Sequence, residues 1–162
     1  MTETGIFTRL KADHDRHREL LDKIDATQGD SDERRDLFEA FRIDVTAHAA
    51  SEEMSLYATM LANPDLRDEA QHSVAEHKEI EDYLTELFEM DFASSGWLTR
   101  FRTMKDRYLH HIDEEEEEMF PAAEKELSDE RKKELIRIFE KEKPKEKAKA
   151  AAEEPSSEEA RD

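Results

Sequence analysis

Six residues of this chain could do chemistry together, and they come as two copies of one set. His14, His48 and Glu52 recur as His77, His111 and Glu115, each displaced by 63 positions. Leu21 and Leu84, Phe38 and Phe101, Glu53 and Glu116, and the aromatics Tyr57 and Phe120 repeat at the same displacement, so the chain reads as two helical hairpins of one design. In both copies His and Glu stand four apart. On an α-helix that is about 40° of rotation and about 6 Å of rise, so the two side chains share a face. A glutamate on a stripe of Phe, Val, Tyr and Met costs on the order of several kcal/mol unless a cation answers it. Imidazole and carboxylate donors without sulfur suit iron, manganese or zinc and argue against a structural zinc finger. A lone histidine would be read as a core or surface residue; duplication of all six groups on inward stripes favours a metal site.

Such residues need long helices to hold them. Proline occurs only at 64, 121, 144 and 155 and glycine only at 5, 29 and 96, which leaves long stretches without a helix breaker. Leu10, His14, His17, Leu21 and Ile24 follow one face of a first helix that stops before Gly29. Ser31 or Asp32 can cap a second, with Phe38, Phe41, Val45, His48 and Glu52 inward and its end near Asn63 and Pro64. A third spans about 65–88, carrying Ala70, Ser73, His77, Ile80, Leu84 and Leu87. A fourth spans 97–120, with Phe101, Met104, Tyr108, His111, Glu115 and Met119 inward, and Pro121 ends or kinks it. A short fifth helix, about 128–139, offers Leu135, Ile138 and Phe139 as a docking edge. From Lys141 onward no periodic apolar residues remain, so residues 1–140 are expected to form the domain and 141–162 a disordered charged tail, removable after about Lys143 without effect.

Composition narrows the partners. The 162 residues fit one domain, and a formal net charge of -19 repels nucleic-acid phosphates and anionic lipid. The absence of cysteine excludes disulfides and thiolate chemistry. No apolar run approaches the roughly 18 residues of a membrane span, and residues 1–10 lack a signal-peptide core, so the cytoplasm is expected. Three glycines cannot supply a phosphate-cradling loop.

The segments around Leu10 to His14, His48 to Tyr57, Glu76-His77 and His111 to Pro121 resemble the hemerythrin or HHE cation-binding family in its bacterial form, with the pattern H, HxxxE, H, HxxxE. The resemblance covers roughly residues 6–140. It implies an all-α, up-down-up-down four-helix bundle around an oxo- or hydroxo-bridged pair of iron ions. His14 and His48 would hold one iron, His77 and His111 the other, with Glu52 and Glu115 bridging. Oxygen-carrying hemerythrins have HxxxH on the third helix, where this chain has Ser73 four residues before His77. The missing histidine argues against reversible oxygen carriage and for reaction with peroxide or nitric oxide. His17 is either a compensating ligand or a hydrogen-bonding residue behind the site; Tyr57 and Tyr108 either pack or serve the metals by ligation or proton relay.

Three functions compete. One is a catalase-like or otherwise peroxide-, oxygen- or nitric-oxide-reactive diiron oxidoreductase, expected as a monomer or weak homo-oligomer. The second is a non-catalytic iron- or oxygen-sensing or oxygen-binding module, and the third a purely structural bundle. His72 and His110 fall off the inner stripes and are expected at the surface, and the acidic run 113–118 is a solvated face apart from Glu115. Glu53 and Glu116 are the alternatives to the bridging residues if the register is shifted by one.

Overall fold

The computed structural model describes residues 5–153. α1 (Ile6–Asp25) and α2 (Asp32–Glu52) form the first hairpin, and α2 continues through a π-helical turn (Glu53–Tyr57) into a single turn, α3 (Ala58–Leu61). α4 (Arg67–Glu89) and α5 (Ser95–Glu114) form the second, and α5 continues through its own π-helical turn (Glu115–Met119) into α6 (Phe120–Glu126). α7 (Asp129–Ala152) comes last. α1 packs on α2 and α5, and α4 on α5 and α2, which closes an all-α, up-down-up-down four-helix bundle. Among the described residues no helix is long and apolar enough to cross a membrane.

Local chemistry sets the helix ends. The hydroxyls of Ser31, Ser94 and Ser128 accept from the backbone N–H of Arg34, Trp97 and Arg131 at 3.0, 3.2 and 3.1 Å, each satisfying a donor that the first turn leaves free. Gly29, at φ +62°, takes the left-handed conformation that the α1–α2 turn requires.

The inner stripes form two separate apolar clusters. One gathers Leu21, Ile24, Phe38, Phe41, Val45, Leu84, Leu87, Trp97, Phe101 and Met104 towards the α1–α2 and α4–α5 turns. The other gathers Ile6, Leu10, Leu56, Met60, Leu66, Ala70, Met119, Phe120, Leu135 and Phe139 at the opposite end. Along every bundle helix the histidines and glutamates of the repeat fall between these clusters. The metal candidates therefore occupy a polar layer walled off above and below by apolar packing.

Two sequence expectations give way. Pro121, expected to end or kink the fourth helix, does not end it: the chain runs on through the π-helical turn into α6, with Pro121 in the first turn of that segment. The fifth helix is not short: α7 has 24 residues, so 141–152, expected as disordered tail, are helical, and position 140 falls inside α7. Leu135, Phe139, Lys143 and Ala150 are its buried residues, and a lysine in the third of these places hides the stripe from an apolar count. α7 packs on α2, α1 and the first π-helical turn. The disorder expected for residues 154–162 lies outside the described residues.

Candidate metal centre

The polar layer holds two histidine pairs. The His14 and His48 rings lie 5.1 Å apart, centroid to centroid, and those of His77 and His111 5.0 Å. The glutamates span the pairs. Glu52 Oε1 is 3.5 Å from His48 Nε2 and 3.3 Å from His77 Nε2. Glu115 Oε1 is 3.2 Å from His14 Nε2, and its Oε2 is 3.4 Å from His111 Nε2. One ligand atom from each of His14, His48, Glu52 and Glu115 lies within 4.8 Å of the others, and the same holds for His77, His111 and Glu115. Glu115 belongs to both groups. The structure thus brings all six sequence candidates together, with Glu52 and Glu115 fully buried.

A cation fits this layer on the state of its donor atoms. His14 Nε2, His48 Nε2, both Glu52 oxygens and Glu115 Oε1 are buried yet make no aligned hydrogen bond. Unmade bonds of this kind each cost about 1–3 kcal/mol in a protein interior, and shared coordination removes the cost. The opposite nitrogen of every histidine is engaged by a carboxylate: His14 Nδ1 with Glu116 at 2.6 Å, His48 Nδ1 with Asp13 at 2.7 Å, His77 Nδ1 with Glu53 at 3.3 Å and His111 Nδ1 with Glu76 at 2.9 Å. A carboxylate on Nδ1 fixes the tautomer that leaves the Nε2 lone pair for a metal. The field is negative too. Burial pushes the His14 imidazole down, but Glu115 and Glu116 outweigh it and raise its pKa to about 9; Glu52 and Glu53 likewise overcome burial to raise His77 to about 10.

These outer carboxylates also follow the repeat. Asp13 and Glu76 share the displacement of 63, and each holds the histidine 35 residues further on. The repeat alone could have singled them out, but an acidic residue beside a histidine reads as surface until the fold supplies its partner. Glu53 and Glu116, the alternatives to the bridging pair, are partners of His77 and His14 instead.

The remaining candidates separate. The Tyr57 hydroxyl donates to Glu115 Oε2 and stands 3.5 Å from His77 Nε2, with its ring stacked on His77 at 5.2 Å. Burial and the charges of Glu115 and Glu52 push the phenol well above its usual range, so it keeps its proton. Its repeat mate Phe120 stacks on His14 at 6.0 Å, without a polar group. His17 points elsewhere: its Nε2 meets Asp44 Oδ2 and its Nδ1 the Tyr108 hydroxyl, both at 2.6 Å. Burial outweighs Asp44 and lowers the His17 pKa to about 4, so a neutral ring donates to Asp44 and accepts from Tyr108. With both nitrogens occupied, His17 takes the hydrogen-bonding role, and Tyr108 is its partner. Ser73, buried, lies 3.9 Å from the Met119 sulfur. His72 and His110 are exposed.

Two cavities reach the layer. One of about 700 Å³ has His48, His77 and Tyr108 in its wall, together with Val45 and Ile80 and, from α7, Lys149 and Ala150. The other, about 340 Å³, is lined by Glu69, Ser73, Glu76, His111 and Glu115. Small molecules have a way to the histidines.

An antiparallel four-helix bundle with imidazoles and carboxylates converging at its middle is a metal-binding bundle. The hemerythrin HHE cation-binding domain model matches residues 5–123, and the chain belongs to that family. It is also similar to a hemerythrin HHE cation-binding domain-containing protein from Mycobacterium kansasii, solved as a crystal structure, with a TM-score of 0.79 and 25% identity over 91% of this chain and 90% of that one. Comparison with curated proteins gave no match.

Proposed function

We propose that the protein is a cytoplasmic non-haem diiron protein that reacts with a small oxidant, hydrogen peroxide, dioxygen or nitric oxide, between its four central histidines. The observation that carries this reading is the set of buried, unbonded donor atoms spread over two histidine pairs with Glu52 and Glu115 spanning them. His14 and His48 would hold one iron, His77 and His111 the other, and the glutamates would serve both. Two irons in this position supply redox chemistry toward such oxidants. The chain's own contribution is positioning and proton control. The four Nδ1 partners hold the imidazoles in place, the two apolar clusters exclude water from above and below, and the Tyr57 hydroxyl holds a proton against Glu115.

Metal analysis of protein from iron-replete cells is expected to give about two irons per chain. A value near one, or zinc alone, contradicts the reading. Peroxide then separates enzyme from sensor: sustained oxygen evolution marks catalysis, whereas a single bleaching of the iron chromophore marks a binding or sensing module. Tyr57→Phe should keep its iron, since Phe120 shows that a phenyl ring fits the equivalent place. Its peroxide consumption should fall by about a hundredfold if the phenol supplies the proton. An unchanged rate removes Tyr57 from the chemistry.

A further inference from the structure

α7 carries a buried lysine that reaches the back of one histidine pair. Lys143 is only 6% exposed, and its Nζ lies 2.8 Å from Asp13 Oδ2 and 3.2 Å from Asp44 Oδ1. Both carboxylates are buried as well. Asp13 Oδ2 is the same atom that holds His48 Nδ1, so the contacts run from α7 through Asp13 to His48 without a break. Phe139, one turn earlier, packs edge-on against the His48 ring at 5.8 Å. Asp44 in turn fixes His17, which packs edge-on to His48 from another side at 5.3 Å.

The second half of the repeat has no equivalent of this arrangement among the described residues. Glu76, the mate of Asp13, is more open, with the exposed His72 beside it at 3.4 Å in place of a buried lysine. α7 packs on the first hairpin and its π-helical turn. The two ends of an otherwise duplicated centre are therefore held unequally.

We propose that Lys143 is a positioning residue that fixes Asp13, and through it His48, so that docking of α7 sets the retention of metal at the His14–His48 pair and not at the His77–His111 pair. This rests on the two-metal reading above. Removing this ammonium takes away the one buried cation that Asp13 and Asp44 share. Arg9 still holds Asp13 Oδ1 and Lys147 lies 3.5 Å from Asp44 Oδ1, but Asp13 Oδ2, the oxygen that faces His48, loses its cationic anchor. Interactions of this kind behind a metal ligand are typically worth about 10–100-fold in metal affinity.

The test loads the full chain with iron and follows release to a strong chelator, with ⁵⁷Fe Mössbauer spectra recorded before the challenge. In Lys143→Met, half of the bound iron should leave about tenfold faster than in the wild type and half at the wild-type rate. One of the two iron signals should change while the other stays. Lys143→Arg should restore both properties, and Lys145→Gln, an equal loss of charge at an exposed position of α7, should alter neither. Equal acceleration of both irons, with or without a lower melting temperature, means general loosening and overturns the proposal. So does wild-type release in Lys143→Met, or failure of arginine to rescue. Two irons in the wild type combined with any of these results defeats the positioning role alone; a wild-type chain that binds no iron defeats the two-metal reading with it.

Discussion

Glu115→Gln is expected to empty both metal positions, the largest effect any single substitution should have here. Glu115 is the residue common to the two donor groups, reaching His14 with one oxygen and His111 with the other. Glutamine keeps the volume but replaces one oxygen with an amide nitrogen that cannot ligate and removes a negative charge from between the two cations proposed above. Glu52→Gln should act in the same direction, since Glu52 spans His48 and His77. Glu117→Gln, on the exposed side of the same turn, should leave iron content within error, because a solvated carboxylate contributes only about tenths of a kcal/mol. Bound iron measured across these three variants checks the geometry. A full complement in Glu115→Gln would show that the convergence on this carboxylate is not what holds the metal.

Ending the chain at Ser128 should cost a large part of the stability. Leu135 and Phe139 are fully buried, and each such side chain is worth about 1.5–3 kcal/mol, so together about 3–6 against a total of about 5–15 for a domain. Both belong to the apolar cluster that includes Leu10 and Leu56, on elements that α7 packs against, so removal also opens that cluster. Urea unfolding of the metal-free full and shortened chains should show a large drop in midpoint. Equal midpoints would mean that α7 contributes nothing to the fold.

The bundle and the inward set of six are legible because two signals coincide: a 3.6-residue apolar period and a repeat displacement that carries the ligand-type residues with it. His17 is legible as inward but not as to its partners, since Asp44 and Tyr108 come from other helices and a single stripe says nothing about the groups facing it. The length of α7 is hidden for a related reason. Its inner edge includes Lys143, which is buried only because two aspartates from α1 and α2 meet it, and a charge count along one segment sees solvent where the fold supplies a counter-ion. Pro144 in the helix interior points the same wrong way.

The π-helical turns leave each long helix indexed in two ways. Up to Glu52 and Glu114 the helices are α-helical; Glu53–Tyr57 and Glu115–Met119 then take π-helical turns before the α-helix resumes at Ala58 and Phe120. One additional residue in a turn rotates the downstream segment by about 100° relative to an uninterrupted helix. A helical wheel drawn from either end is therefore out of phase at the other, and the change falls at the glutamates themselves. The half of the bundle above the polar layer and the half below it can each satisfy its own packing, and the two carboxylates stand at the joint where the two phases meet.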